Sequence, residues 1–463
     1  MWKTEAKLVG TPCPSLPKLP VSDRNVRELS SSLWALNSAV ECHLHTVEVV
    51  GSNPIAPTNN QLESRELPPA ACRYHAAPAE VGKYIVPASN FSDASPAPVG
   101  TYKGLGPYGT YDMAGNAKEW VMNGSTDGLH LLQGGGWKSQ TYLYAELEAL
   151  PSFDRSPSNG FRCVRNVEPV PVAATQAVHR SDRDFSKEKP VSDEVFRAYQ
   201  AMYAYQKIPL NAKEEGVVGE TADWREQRVS FETAYGDGRM AAYLFLPKHV
   251  KPPYQTVAFF PSARVVLDAP PNGALGDIEF FDYVVQSGRA VLYPVYQGTY
   301  ERQVRVFLPG SDWSLELATQ RFKDLAQSVD YLETRPDIDT SRMPYLGVSM
   351  GSAEGVDYAT LLQDKFRAIV FLDGGFFLWR LPAGVDQKDF APRTKKPVLM
   401  VNGRYDFSFS MAESQDPMFR MLGTAEADKR HVILESPHDV NNQRSQLVLE
   451  VLGWLDKYLG RVQ

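Results

Sequence analysis

From residue 191 onward the chain alternates short apolar runs with amphipathic stretches. Ser192 is placed as an N-cap, and Val195, Tyr199, Met202 and Tyr203 share one face of the helix that follows. Residues 228–231 alternate, and residues 241–246 are a continuous apolar strand. Between them Asp237-Gly238 signals a hairpin, because glycine tolerates the positive φ such turns need. The rhythm then becomes strand, helix, strand. Residues 257–260 and 290–296 read as strands around a helix over 278–286 that is closed by Gly288. Leu315, Ala318, Phe322, Leu325, Val329 and Leu332 recur every three or four positions, which predicts a long helix over 314–334. A strand over 342–348, a helix over 352–362 and strands at 368–372, 397–401 and 431–434 follow. A last helix carries Leu447, Val451, Trp454, Leu455 and Tyr458 and stops before Gly460. Antiparallel strands first and α/β alternation afterwards predict an α/β fold: a doubly wound, mostly parallel sheet with helices on both faces.

The first 190 residues have a different texture. Pro12, Pro14, Pro17 and Pro20 break any regular pattern, so residues 1–70 read as a poorly structured leader. Residues 39–58 resemble a translated transfer-RNA gene, which makes this leader an expected gene-boundary or cloning artefact. Residues 71–166 are rich in Gly, Tyr, Trp and Asn and read as a small irregular module. Residues 167–190, with Pro169, Pro171, a mixed charged run and Pro190, read as a linker to a larger domain over 191–463.

Composition narrows the class. The 463 residues are 43 % hydrophobic and 22 % charged, with a net charge of −7, as in a globular protein. No basic run or aromatic-basic stripe suggests a nucleic-acid partner. Neither a signal-peptide core nor a run long enough for a membrane span is present. Four cysteines, Cys13, Cys42, Cys72 and Cys163, form no CxxC pair, which points to a reducing, cytoplasmic setting. The oligomeric state is not legible.

The chemistry gathers around Gly347-Val348-Ser349-Met350-Gly351, a Gly-x-Ser-x-Gly pattern between a predicted strand and a predicted helix. A serine hydroxyl needs a base to become nucleophilic, and the base needs an acid to fix its tautomer. Asp406 and His438 both fall just past predicted strands, on the sheet edge expected for Ser349. Asp373 is an alternative acid, and His431 and His249 are less well placed bases. Asp439 adjoins His438 and is poorly positioned to hold its far nitrogen. The oxyanion donors expected are the backbone N–H groups of Met350 and of Ser262, with Ala263 next in line. Phe376, Phe377 and Trp379 are candidate substrate contacts, as are Tyr293, Tyr296 and Tyr300, although ordinary core packing accounts for them equally well. Arg264 and Arg380 are candidates for meeting an anionic substrate.

Two resemblances sharpen this reading. Asn90-Phe91-Ser92, Gly106-Pro107-Tyr108-Gly109, Asp112-Met113-Ala114-Gly115-Asn116, Glu119-Trp120, Gly134-Gly135-Gly136-Trp137 and Gly160-Phe161-Arg162-Cys163 resemble, in order, motifs of the formylglycine-generating-enzyme (sulfatase-modifying factor) family. They span about the C-terminal third of that fold. The family's working cysteine pair lies between the last two motifs, and residues 138–160 contain no cysteine, so the resemblance implies a non-catalytic, truncated module. Asn116 and Glu119 correspond to calcium ligands of that family, but two groups fall short of a calcium site. Residues 190–463 resemble bacterial α/β-hydrolases of the dienelactone-hydrolase and acetyl-esterase type. In multidomain relatives a formylglycine-enzyme-like module, and in some a kinase, precedes such a hydrolase, which makes this chain an expected fragment of a longer architecture. The Ser-Asp-His order fits, and the resemblance implies a serine carboxylesterase for small, short- to medium-chain esters that needs no metal or organic cofactor. A prolyl-oligopeptidase-like peptidase and an idle regulatory or binding module are the competing readings.

Overall fold

A computed structural model describes residues 47–49, 88–91, 94–104, 110–126, 128–139, 147–166, 169–170, 172–178, 183–236, 238–267, 275–302 and 312–462. Of the leader expected over 1–70 this includes only strand β1 (Val47–Val49), which pairs antiparallel with β6 (Val164–Asn166). His43, His45, Cys13, Cys42, Cys72 and Asp237 lie outside the described residues.

Between β1 and β6 lies a four-stranded sheet of β2 (Lys118–Gly124), β3 (His130–Gln133), β4 (Glu148–Leu150) and β5 (Asn159–Gly160), in the order β4-β3-β2-β5. The motif residues knit the loops around it. A Cβ on Gly115 would stand 2.7 Å from the Asn90 carbonyl oxygen, so only glycine fits that crossing. The Glu119 carboxylate is held by Arg162, whose Nε donates to Oε2 at 2.6 Å. Asn116 Oδ1 accepts from Ala97 N–H (2.7 Å) and Asn90 Nδ2 (3.2 Å). Asn116 and Glu119 thus both serve the loop hydrogen-bond network.

The larger part begins earlier than its first helix. Arg183 and Phe185, in the stretch expected as a linker, are buried, and the Phe185 ring packs 4.8 Å from that of Phe376. Helix α1 (Asp193–Met202) is capped by Ser192, which accepts from Val195 N–H. Its buried residue is Phe196, followed by Tyr203 just past its end, while Val195 and Met202 are exposed. Of the expected face of Val195, Tyr199, Met202 and Tyr203, only Tyr203 is buried and Tyr199 half-buried, and Phe196 takes the place of Val195.

A nine-stranded sheet follows, in the order β15-β14-β13-β12-β10-β11-β9-β8-β7. The antiparallel end is β7 (Lys213–Glu220), β8 (Trp224–Glu232) and β9 (Arg239–Pro247). The parallel part is β10 (Thr256–Phe260), β11 (Ala290–Pro294), β12 (Pro344–Val348), β13 (Ala368–Leu372), β14 (Val398–Gly403) and β15 (Lys429–Leu434). The crossovers are α2 (Asp282–Gln286), α3 (Asp312–Thr334), α4 (Met350–Ala353) with α5 (Gly355–Leu361), and α6 (Asp416–Met421), and α7 (Arg444–Leu459) closes the chain. The sequence pattern gives no sign of β7. Its side chains are nearly all exposed and three of the first three are charged, as suits an edge strand that must not recruit another chain.

The continuous apolar runs are explained by two buried faces. Tyr345, Ile369 and Phe371 join Phe322, Leu325 and Val329 of α3 on one side. Their neighbours Leu346, Val370 and Leu372 join Val284 of α2 and Leu447, Val451 and Leu455 of α7 on the other. Each such side chain contributes about 1.5–3 kcal/mol on burial, so both faces must be covered for the sheet to persist. From β10 the chain moves one way to β11 and then back across to β12. The strand order thus reverses between β10 and β12, and a crevice opens past their C-terminal ends.

Candidate active site

Ser349 sits at that crevice, directly after β12. Its backbone takes φ 52° and ψ −107°, a strained conformation that nearby contacts must enforce. Ser349 N–H donates to Leu372 O (2.8 Å), and Ser352 Oγ donates to the carbonyls of Gly347 and Leu372, each at 2.7 Å. The two motif glycines make room. A Cβ on Gly347 would lie 2.0 Å from Gly351 O, and one on Gly351 would lie 2.2 Å from Phe260 O. The helix behind the turn is tied down by Arg321 of α3, whose Nη1 donates to both Glu354 carboxylate oxygens (2.7 and 2.9 Å). Arg321 is 1 % exposed and no motif flags it; only its position on α3 gives it this task.

The structure brings Asp406 and His438 to the serine. Ser349 Oγ is 2.9 Å from His438 Nε2, and His438 Nδ1 is 2.8 Å from Asp406 Oδ2. Asp406 Oδ1 accepts Phe409 N–H at 2.9 Å, which fixes the carboxylate plane. Burial drags the imidazole pKa down, but the charge of Asp406 and its hydrogen bond, with Asp373 and Asp439, outweigh this and carry it up to about 9. The other histidines are elsewhere: His431 Nε2 pairs with Asn402 Oδ1 (3.1 Å), and burial lowers its pKa to about 4. His249 is exposed beside Asp223. Asp439 caps the next turn, accepting from Asn441 N–H.

Asp373 also reaches this centre. Its carboxyl, Asp406 and His438 have polar atoms within 4.8 Å of one another. Burial raises its pKa well above the usual carboxylate range, against the pull of His438 and the Val440 N–H. His438 Nδ1 is already engaged by Asp406, and burial disfavours the charged form of Asp373 that a cation would need, so this trio has the chemistry of a His–carboxylate pair rather than of a metal cage.

The expected oxyanion donors fare differently. Met350 N–H opens α4 with no acceptor among the described residues. Ser262 does not match the expectation: its N–H is donated to Asp277 Oδ2 at 2.7 Å and is not available to substrate. The neighbouring Ala263 N–H has no acceptor among the described residues. Asp277 went unnoticed in the sequence; it is fully buried at φ 64°, and burial raises its pKa to about 6.

Of the aromatic candidates, Phe376 is corrected to core: it is 0 % exposed and packs on Phe185, because the loop turns it under the surface. Tyr293 and Tyr296 are likewise fully buried. Phe377 and Trp379 remain accessible. Their rings stack at 4.4 Å, Phe377 lies 5.8 Å from Phe409, and Phe409 lies 5.8 Å from the His438 ring. Phe409, which the sequence reading missed, completes an aromatic row from the surface to the imidazole. Arg264 pairs with Glu279.

The nucleophile-type turn, the reversal at β10 and the order of the three side chains are now all in view. The larger part has the α/β-hydrolase fold, by its strand order, its strand-to-helix serine turn and the Ser–Asp–His order along the chain. The segment before it, residues 70–167, matches the family described as "Sulfatase-modifying factor enzyme 1-like domain". Among solved structures the chain is similar to an acetyl xylan esterase from Paenibacillus sp. R4, at 15 % identity over 59 % of this chain and 98 % of that one, with a TM-score of 0.45. It is also similar to acetyl xylan esterase 1 from Thermoanaerobacterium sp. JW/SL YS485 (15 % identity, 57 % of this chain and 95 % of that one, TM-score 0.44). A glucuronoyl esterase from Solibacter usitatus is similar at 13 % identity, over 56 % of this chain and 91 % of that one, with a TM-score of 0.40. Among curated proteins none matches the chain. No helix among the described residues is long and apolar enough to cross a membrane.

Proposed function

We propose that residues 191–463 form a serine carboxylesterase for small esters of short- to medium-chain acids. The observation that carries this reading is the continuous relay Ser349 Oγ–His438 Nε2–His438 Nδ1–Asp406 Oδ2, with links of 2.9 and 2.8 Å. Ser349 Oγ attacks the ester carbonyl carbon while His438 Nε2 takes its proton. Asp406 holds the ring in the Nδ1–H tautomer and stabilises the imidazolium that forms. The N–H groups of Met350 and Ala263 receive the oxyanion. The tetrahedral adduct collapses, the C–O bond to the alcohol breaks, and His438 returns the proton to the departing oxygen. Water, deprotonated by the same imidazole, then attacks the acyl-serine, releases the acid and regenerates Ser349. Neither half-reaction calls for a redox partner.

Hydrolysis of p-nitrophenyl acetate, butyrate and octanoate by the protein and by Ser349→Ala tests the reading. Removing such a serine costs about 10⁶-fold in kcat. Turnover that is lost in the variant is the expected result. Equal turnover by the two proteins, or none by the unsubstituted protein on any of the three esters, would sink it.

A further inference from the structure

The residue next to the acid of the relay packs into an apolar cluster from the segment before the hydrolase. Asp406 lies in the turn after β14, and one side of that turn is laced to the loop carrying His438. Arg404 N–H donates to Leu434 O (2.8 Å), Tyr405 N–H donates to Ser436 O (3.0 Å), and the Tyr405 hydroxyl donates to Glu435 Oε2 (2.6 Å). Phe407 goes the other way. It is 6 % exposed, and its apolar cluster consists of Leu131 of β3 and Ala149 of β4, with Val121, Leu129, Leu147 and Val178 packed around them. Every member of that cluster except Phe407 comes from the segment before the hydrolase. A side chain buried this way is a fixed point in a tight turn, and the Asp406 backbone is one bond sequence removed from it.

We propose that the sulfatase-modifying-factor-like segment is a positioning element of the active site: by gripping Phe407 it holds the Asp406 carboxylate at hydrogen-bond distance from His438 Nδ1. This rests on the esterase reading for its catalytic consequence, but not for its geometry. The stretch that follows this segment steadies the neighbouring loop, since Arg183 Nη1 donates to Trp379 O (3.1 Å) and Phe185 packs on Phe376. The module then serves the reaction as a wall rather than as an enzyme. A carboxylate that drifts from the imidazole ceases to favour its charged form, so loosening the grip lowers the His438 pKa. Asp406, Asp373, Asp439 and the Ser349 hydroxyl are the groups facing that ring, and only Asp406 is tied to Phe407.

The test uses the full chain with Phe407→Ala, with Leu131→Ala on the other side of the contact, and with the conservative Phe407→Leu. The His438 imidazole is titrated by NMR, its signal assigned with His438→Gln, and thermal unfolding checks that each variant is folded. Both alanine variants should lower the titration midpoint by about half a unit or more. They should also cut kcat on p-nitrophenyl acetate about tenfold at nearly constant KM, as small misplacements of a catalytic group do. The double variant should be no worse than Phe407→Ala alone, because both act through one contact. Phe407→Leu should restore most of the loss. If Phe407→Ala does not fold, the milder Leu131→Val carries the same expectation at smaller size. An unchanged midpoint in the folded variants overturns the proposal. Because the titration needs no substrate, a protein without turnover would defeat the esterase reading and leave this result standing on its own.

Discussion

Asp277 Oδ2 accepts the backbone N–H of Ser262 at 2.7 Å, and this one bond reassigns a donor. In the proposed mechanism the loop after β10 offers substrate the N–H of Ala263 instead. There Asp277 would position the oxyanion hole, and its own burial makes the bond strong because no water competes for it. Asp277→Ala should lower kcat about 10²-fold, the low end of the cost of losing one oxyanion donor, with KM little changed. Asp277→Asn keeps an acceptor and should retain most activity. Steady-state kinetics on p-nitrophenyl acetate decides; equal effects of the two substitutions would show that the carboxylate acts by charge and not by holding Ser262.

The pH dependence follows from the Asp406–His438 pair. The general base must be neutral, and its pKa is raised to about 9, so kcat/KM should rise with pH through a limb centred above the ordinary imidazole value of about 6.5. Replacing Asp406 by Asn removes the negative neighbour that favours imidazolium. The limb should then move to lower pH while the plateau falls about 10⁴-fold. A pH-stat series from pH 5 to 10 on both proteins measures the two effects together. A limb that moves to higher pH in Asp406→Asn would contradict the assignment.

The nucleophile turn should tolerate no side chain at Gly351. A Cβ there would meet the backbone oxygen of Phe260 at 2.2 Å, and backbone cannot swing aside as a side chain does. Gly351→Ala should cost about 1–3 kcal/mol as an overpacked core does, and should push β10 away from Ser349. A lowered unfolding midpoint together with loss of ester turnover is expected. Parental stability and rate would show that the turn has slack.

Most of this framework was legible in the chain. The elbow, the two partners and the crossovers each leave a local signal: paired glycines, polar residues just past strands, and stripes of period three to four. What escaped has no local signal. Strand β7 is an exposed edge without alternation, and on α1 Val195 and Met202 are apolar yet face solvent, while Phe196 is the one turned inward. Ser262 against Ala263 depends on Asp277, fifteen residues away, and Phe376 is distinguished from Phe377 only by which way a loop turns. The grip on Phe407 is a contact between parts whose sequence patterns are independent.

The aromatic row gives a prediction about substrate. Trp379 is 43 % exposed and stacked on Phe377, at the outer end of the path to His438. Trp379→Ala should raise KM for p-nitrophenyl octanoate more than for the acetate, by up to about tenfold, since each lost aliphatic–aromatic contact is worth on the order of 1 kcal/mol. A uniform change across chain lengths would place the row outside the acyl site.

Asp373 decides which carboxyl completes the relay. It lies past β13, close to both Asp406 and His438, and on position alone it competes with Asp406. Its environment argues otherwise. Oδ2 accepts Val440 N–H at 3.0 Å, Oδ1 has no hydrogen-bond partner, and burial disfavours the charged form. A carboxyl pushed towards its neutral form stabilises an imidazolium less than an ionised one bonded to the ring does. Asparagine reproduces the shape and the acceptor for Val440. Asp373→Asn should therefore leave kcat within about tenfold of the parent, whereas the same change at Asp406 costs about 10⁴-fold. Measured side by side, the reverse ranking would make Asp373 the acid, and equal large losses would mean that the two carboxyls share one proton and act as a unit.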